Sequence, residues 1–186
     1  MKTVNDMVQR YYTSNDFSML RDRTKQDYQY FLRVMCKEFG DVKYDELTSK
    51  QAKHAYEDWV ARGISLANHV CTVSSIVFRY AIDMEYATIN PFANVKRKSA
   101  PQRKVVWTED DVRQFLDTAY STFEWRSIGL IVHMAYEWCQ RLGDMRLLTW
   151  DNFDFANRKL SLEQSKRRSQ VTLPIEDDLY DMLIHQ

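Results

Sequence analysis

Residues 139–154 read CQRLGDMRLLTWDNFD and follow directly on the apolar run IGLIVHMAYEW at 128–138. The order is an apolar helical segment, then Arg141, an acid at Asp144, apolar positions leading to Leu148 and Trp150, and a polar close at Asn152 and Asp154 around Phe153. A lone cation after an apolar helix usually faces water or the helix dipole. Here it stands at the point where the periodicity of the chain changes. Upstream, WTEDDVRQFLDTAY (107–120) and EWRSIGLIVHMAYEWC (124–139) carry a helical period, with Thr108 as an N-cap and acids in the first turn. Downstream, RKLSLEQ (158–164) and QVTLPI (170–175) alternate apolar and polar residues, as strands do, around a basic turn SKRRS (165–169). A β-hairpin with a basic tip is therefore expected, then a last helix in EDDLYDMLIHQ.

Working towards the N-terminus, ANVKRKSAPQRKVV (93–106) is basic, Pro-containing and without a period, and reads as an interdomain linker. Asn90 before Pro91 is pushed out of the helical region, which closes the preceding unit. That unit reads as four helices. The longest evident stripe is Tyr28, Phe31, Leu32, Met35 and Phe39, ending at Gly40 as a C′ residue. Another helix opens with Thr48 and Gln51 in a capping-box arrangement and closes at Gly63. The next has Ser65 as its expected cap and Val70, Val73, Val77, Tyr80, Ala81 and Met84 on one face, and a shorter one spans VNDMVQRYY. Trp59, Tyr80, Trp125 and Trp138 lie on apolar stripes and are expected in cores. The expected architecture is mainly α. An N-terminal four-helix bundle of SAM-like type (1–93) leads through a basic linker (94–106) into a partial α+β domain with a β-hairpin (107–186).

Composition bounds the function. The chain has 186 residues, 45% of them hydrophobic, enough to bury cores. Its apolar runs fall well short of the roughly 20 residues that cross a bilayer, and MKTVNDMVQR has no apolar signal segment, so a cytoplasmic protein without a membrane partner is expected. Cys36, Cys71 and Cys139 are scattered and read as reduced thiols; His54, His69, His133 and His185 are scattered too, so no metal site is indicated. The 26 basic and 26 acidic residues cancel, but their distribution does not: Lys96, Arg97, Lys98, Arg103 and Lys104 form one acid-free cluster, and Lys166, Arg167 and Arg168 with Lys159 form another. Both are candidate phosphate contacts.

Taken in order, the helical module, basic linker, acid-capped helix, apolar helix, arginine box and lysine hairpin resemble the tyrosine recombinase family, the phage-type integrases. The family's first box is filled by Arg141, Asp144, Leu148, Trp150, Asn152, Phe153 and Asp154, with Asn152 in place of one aspartate, and Cys139 and Gln140 where a Thr-Gly pair is usual. Lys166 stands where the family's hairpin lysine does. The resemblance implies a site-specific recombinase or integrase that cuts and rejoins duplex DNA, including viral genomes, through a phosphotyrosyl intermediate. It implies no cofactor, a DNA recombination site as partner, and homo-oligomers assembled on that DNA in a bacterial cell or phage-infected host. Arg141 and Lys166 would be catalytic and Asp144 an orienting residue. The arginine's planar, permanently charged fork donates paired hydrogen bonds to phosphate; losing one such preorganised donor costs roughly 3–4 kcal/mol in the transition state. Lysine is a mobile point charge that can pass a proton to the leaving 5′ oxygen. The family's His-x-x-Arg box and nucleophilic tyrosine have no counterpart here, and Tyr180 lies upstream of where they belong. The expected chain is thus either part of a recombinase or a shortened DNA-binding regulator that competes with a complete enzyme without cutting.

Overall fold

The computed structural model describes residues 2–101 and 104–185. The chain divides into two compact units, Met1–Gln102 and Arg103–Gln186.

The first unit contains α1 (Val4–Tyr12), the single turn α2 (Asn15–Ser18), α3 (Asp22–Phe39), α4 (Ser49–Arg62) and α5 (Ile64–Asp83). Reciprocal capping boxes start α1 (Thr3 with Asp6) and α4 (Thr48 with Gln51), so orphan amides at both helix starts are satisfied locally. One expected terminus is placed differently, and another ends where expected but in a different conformation. The helix expected to be capped by Ser65 begins at Ile64, because Gly63, at φ 143°, ends α4 and starts α5 in a single residue. Gly40 is not left-handed: its φ is −54°. It is a glycine because a Cβ there would lie 2.4 Å from the Cys36 carbonyl oxygen and 2.6 Å from Asn5 Nδ2. Met84, expected on the apolar stripe, caps α5 and is largely exposed.

The core of this unit gathers Val4, Met7, Leu32, Met35, Trp59, Val70, Val77 and Phe78 around Phe92, which is fully buried. The Phe92 ring stacks on Trp59 at 6.2 Å and meets Phe78 at 5.7 Å. Burying such a ring contributes roughly 2–3 kcal/mol. The NPF segment is thus a plug of the bundle as well as its end. The segment and the chain after it run back along α5: Asn90 Nδ2 donates to the Ser75 carbonyl at 2.9 Å, and Asn68 Nδ2 donates to the Lys98 carbonyl at 2.8 Å.

The second unit contains α6 (Glu109–Tyr120), α7 (Phe123–Glu137), the short α8 (Leu142–Met145), a 3-10 turn (Trp150–Asn152), strands β1 (Phe153–Asp154), β2 (Lys159–Glu163) and β3 (Gln170–Pro174), and α9 (Asp177–Ile184). Thr108 caps α6 through a capping box with Asp111. Helices α6 and α7 approach closely at Gly129, where a Cβ would fall 2.9 Å from the Ala119 Cβ. Beside it the Tyr120 hydroxyl and His133 Nδ1 lie 3.1 Å apart. Another part of α7 packs Met134, followed by Trp138, against Leu160, Leu162, Ile175, Leu179 and Leu183.

The sheet is antiparallel in the order β1-β2-β3, with Lys159 opposite Pro174 and Glu163 opposite Gln170. Leu160 and Leu162 point inward from β2 between exposed neighbours, the alternation that betrays the hairpin. Strand β1 is too short to carry a period and is not apparent from sequence. Trp59 and Trp138 are buried and Tyr80 is partly so, but Trp125, expected in a core, is 56% exposed. Helix α7 is apolar on nearly every side, so its stripe does not reveal which side is covered. No helix among the described residues is long and apolar enough to cross a membrane.

Candidate functional site

The arginine box begins with a turn. Helix α7 stops at Glu137, and Trp138 fastens that end to the sheet by donating from Nε1 to the Pro174 carbonyl at 2.7 Å. Cys139 then takes φ 49°, in the left-handed region that glycine adopts without cost. This reverses the chain, so Arg141 is not carried on the apolar helix; it is the extended N-cap residue of α8, with φ −69° and ψ 137°. The opening residue of a new helix, set off by a tight turn, gives the arginine a fixed backbone and leaves its side chain 45% exposed.

Asp144 is the hub. Its side chain is buried, with one carboxylate oxygen 3.6 Å from Arg141 Nη1 and the other accepting the Ser165 backbone N–H at 3.1 Å. The first separation is too long for a strong hydrogen bond. Asp144 therefore attracts the guanidinium without consuming its donors. Hydrogen bonds from Ser165 hold the carboxyl below its ordinary pKa against the opposing effect of burial, and the Arg141 charge adds to the lowering. Ser165 immediately precedes Lys166, so one ionised carboxylate ties the arginine turn to the lysine loop.

A second tie lies next to it. Gln164 Nε2 donates to Gln140 Oε1 at 2.6 Å, and Gln140 Nε2 donates to the Trp138 carbonyl at 2.9 Å. The hairpin tip itself is closed by Gln164 N–H to Ser169 O at 2.9 Å and Arg168 N–H to Gln164 O at 2.7 Å, with Arg168 at φ 53°. Lys166, Arg167 and Arg168 are all exposed on this tip. Gln140, Gln164 and Ser165 escape a reading of the sequence, whose only hint is that they flank Arg141 and Lys166.

The rest of the box is structural. Asn152 Oδ1 accepts the Thr149 N–H at 2.8 Å while its Nδ2 donates to the Ser161 carbonyl at 3.0 Å. Both partners are of fixed polarity, so an amide fits here where a carboxylate would face a carbonyl. Asp154 accepts from Asn157, closing the turn between β1 and β2. Trp150 lies against Phe153 and Phe155, 59% exposed. Tyr180 is engaged in packing: Arg158 sits 4.4 Å over its ring, Phe155 meets it edge-on at 5.9 Å, and Arg158 pairs with Asp177.

Of the linker cations, Lys96, Arg97 and Lys98 belong to the first unit and are exposed; Lys104 belongs to the second and is exposed; Arg103 lies outside the described residues. Burial raises the Cys71 thiol pKa, opposed by a hydrogen bond from Arg97. Cys36, Cys71 and Cys139 are free. Among the described residues, no group of His, Cys, Asp or Glu is arranged to hold a metal ion.

A sequence profile described as "Phage integrase family" matches residues 106–186. No curated protein matches the chain by sequence. Among solved structures, the fold is similar to a lambda integrase dimer bound to a COC′ core site, with TM-score 0.86 and 20% identity over 98% of this chain and 68% of that one. It is similar to a lambda integrase tetramer bound to a Holliday junction, with TM-score 0.85 and 20% identity over 98% of this chain and 56% of that one. It is also similar to the Tn1549 transposon integrase in complex with a circular intermediate DNA, with TM-score 0.81 and 16% identity over 100% of this chain and 65% of that one. The chain thus spans between 48% and 68% of the length of the lambda integrase structures it matches. The profile of the phage integrase family thus lies on residues 106–186, and the fold over nearly the whole length is similar to that of integrases.

Proposed function

We propose that this chain serves site-specific DNA recombination. It binds duplex DNA and contributes Arg141 and Lys166 to strand cleavage and rejoining at one phosphodiester through a phosphotyrosyl intermediate, for which residues 1–186 supply no nucleophilic tyrosine. The observation that carries this reading is the Asp144 carboxylate, paired with Arg141 and bonded to the amide next to Lys166. A permanently charged fork and a mobile ammonium group, joined through one anchor, suit a phosphate that gains charge as it is attacked. Asp144 orients and does not react. Lys96, Arg97, Lys98, Arg103, Lys104, Arg167 and Arg168 supply backbone contacts, which fix register without reading sequence. The DNA-bound dimer and tetramer among the similar structures support assembly of several copies on DNA.

The test is duplex binding by fluorescence anisotropy across a salt series, followed by incubation with a nicked suicide substrate. The expected result is binding that weakens steeply with salt, as counterion release requires, and no covalent adduct, because none of the tyrosines stands at the nucleophile's place. Salt-insensitive binding, or none, would overturn the DNA reading; an adduct would overturn the exclusion of Tyr180 and the other tyrosines.

A further inference from the structure

The basic segment after the bundle reads as an interdomain linker without a period of its own, yet its backbone is caught by two side chains far away in sequence. The Tyr56 hydroxyl accepts the Lys98 N–H at 2.6 Å and donates to Asn68 Oδ1 at 2.8 Å, while Asn68 Nδ2 donates to the Lys98 carbonyl at 2.8 Å. The ring of bonds is closed: each donor meets an acceptor, and both backbone polar groups of Lys98 are satisfied as they would be in a strand ladder. Tyr56 is itself buried, so its hydroxyl is held by the bundle. Upstream, Asn90 on Ser75 and buried Phe92 fix the other end of the same stretch.

We infer that Tyr56 and Asn68 are positioning residues for DNA binding: by clamping the backbone at Lys98 they present Lys96 and Lys98 to successive backbone phosphates from a fixed strip. This rests on the DNA-binding reading above. The physical gain is preorganisation. A free tether must lose its backbone and side-chain freedom when its lysines meet phosphate, whereas a strip already ordered on α4 and α5 has lost most of it on folding.

The test is a cycle of four full-length proteins: wild type, Lys96→Ala/Lys98→Ala, Tyr56→Phe/Asn68→Ala, and the combination, each titrated with duplex DNA at fixed salt. The clamp variant is expected to bind about 3- to 10-fold more weakly. The lysine substitutions are expected to cost less in the clamp variant than in wild type. A contribution confined to folding would leave the lysine effect equal in both backgrounds. Should the double clamp variant fold poorly, Asn68→Asp alone removes the donor facing the Lys98 carbonyl without changing shape, and the same cycle is run on it. Wild-type binding with an unaltered clamp variant, or with equal lysine effects in both backgrounds, overturns the clamp while leaving the DNA reading intact; absence of wild-type binding overturns both.

Discussion

Asp144 accepts the amide of Ser165 at 3.1 Å across 21 residues of sequence while its other oxygen faces Arg141 at 3.6 Å, so the turn that carries the arginine and the loop that carries the lysine share one buried carboxylate. Asp144→Ala removes the carboxylate that accepts the Ser165 N–H, a part-buried bond whose loss costs about 1 kcal/mol because water replaces it in part. The expected result is faster amide hydrogen exchange at Ser165 and its hairpin neighbours, with exchange in α1 to α5 unaltered. The pH dependence follows from the lowered pKa of Asp144. The contribution of this carboxylate to stability is complete above the ordinary Asp value and is lost as pH falls below it through the lower folded value. Hydrogen exchange at Ser165 measured down that range checks the sign.

Asn152 tests whether the family's acid is tolerated in this frame. Asn152→Asp keeps the acceptor for Thr149 but sets a carboxylate oxygen against the Ser161 carbonyl. A destabilisation of about 1–2 kcal/mol at neutral pH is expected by denaturant titration, smaller in acid, where a protonated carboxyl can donate. Equal stability at both pH values would show that the amide donor contributes nothing.

At Cys139 the left-handed backbone makes the opposite prediction. Cys139→Gly relieves a conformation that costs an L-residue roughly 1–2 kcal/mol, offset by the greater freedom of glycine in the unfolded chain. A small net stabilisation is expected by thermal unfolding. Cys139→Val, with a branched side chain at the same φ, is expected to destabilise. A ranking with Val above Gly would contradict the strain.

His133 provides a second pH signature. Burial lowers its pKa, against a smaller raising effect from Glu137. The folded protein therefore binds this proton more weakly than the unfolded chain does. Stability is complete above the ordinary His value near 6.5 and declines as pH falls from there through the lower folded value. His133→Gln removes that part of the decline. Stability curves of the two proteins between pH 5 and 8 check it, and parallel curves would contradict it.

The parts of this molecule that are legible in sequence are those written in local chemistry. Thr48 with Gln51 and Thr108 ahead of its acids announce helix starts because capping is satisfied within four residues. Leu160 and Leu162 announce a strand because alternation needs only neighbours. Arg141, Asp144 and Lys166 stand out through a family pattern. What stays hidden depends on close approach or on partners distant in the chain. Gly40 reads as the end of its helix, which it is, but its close approach to Asn5 is not written in the local pattern. Gln140 finds Gln164 only after the hairpin folds back, and Lys98 looks like part of a tether until Tyr56 and Asn68 close on it. Trp125 is misplaced because an all-round apolar helix does not say which side is covered.

The most direct test of the account is a thermodynamic cycle on duplex DNA binding with Arg141→Ala, Lys166→Ala and the double variant. If the two side chains serve one phosphate, removing either weakens the contribution of the other, and a coupling of about 0.5 kcal/mol or more is predicted. Losses that simply add, to within about 0.3 kcal/mol, would mean that the arginine turn and the lysine hairpin act at separate points on the DNA, contrary to the account.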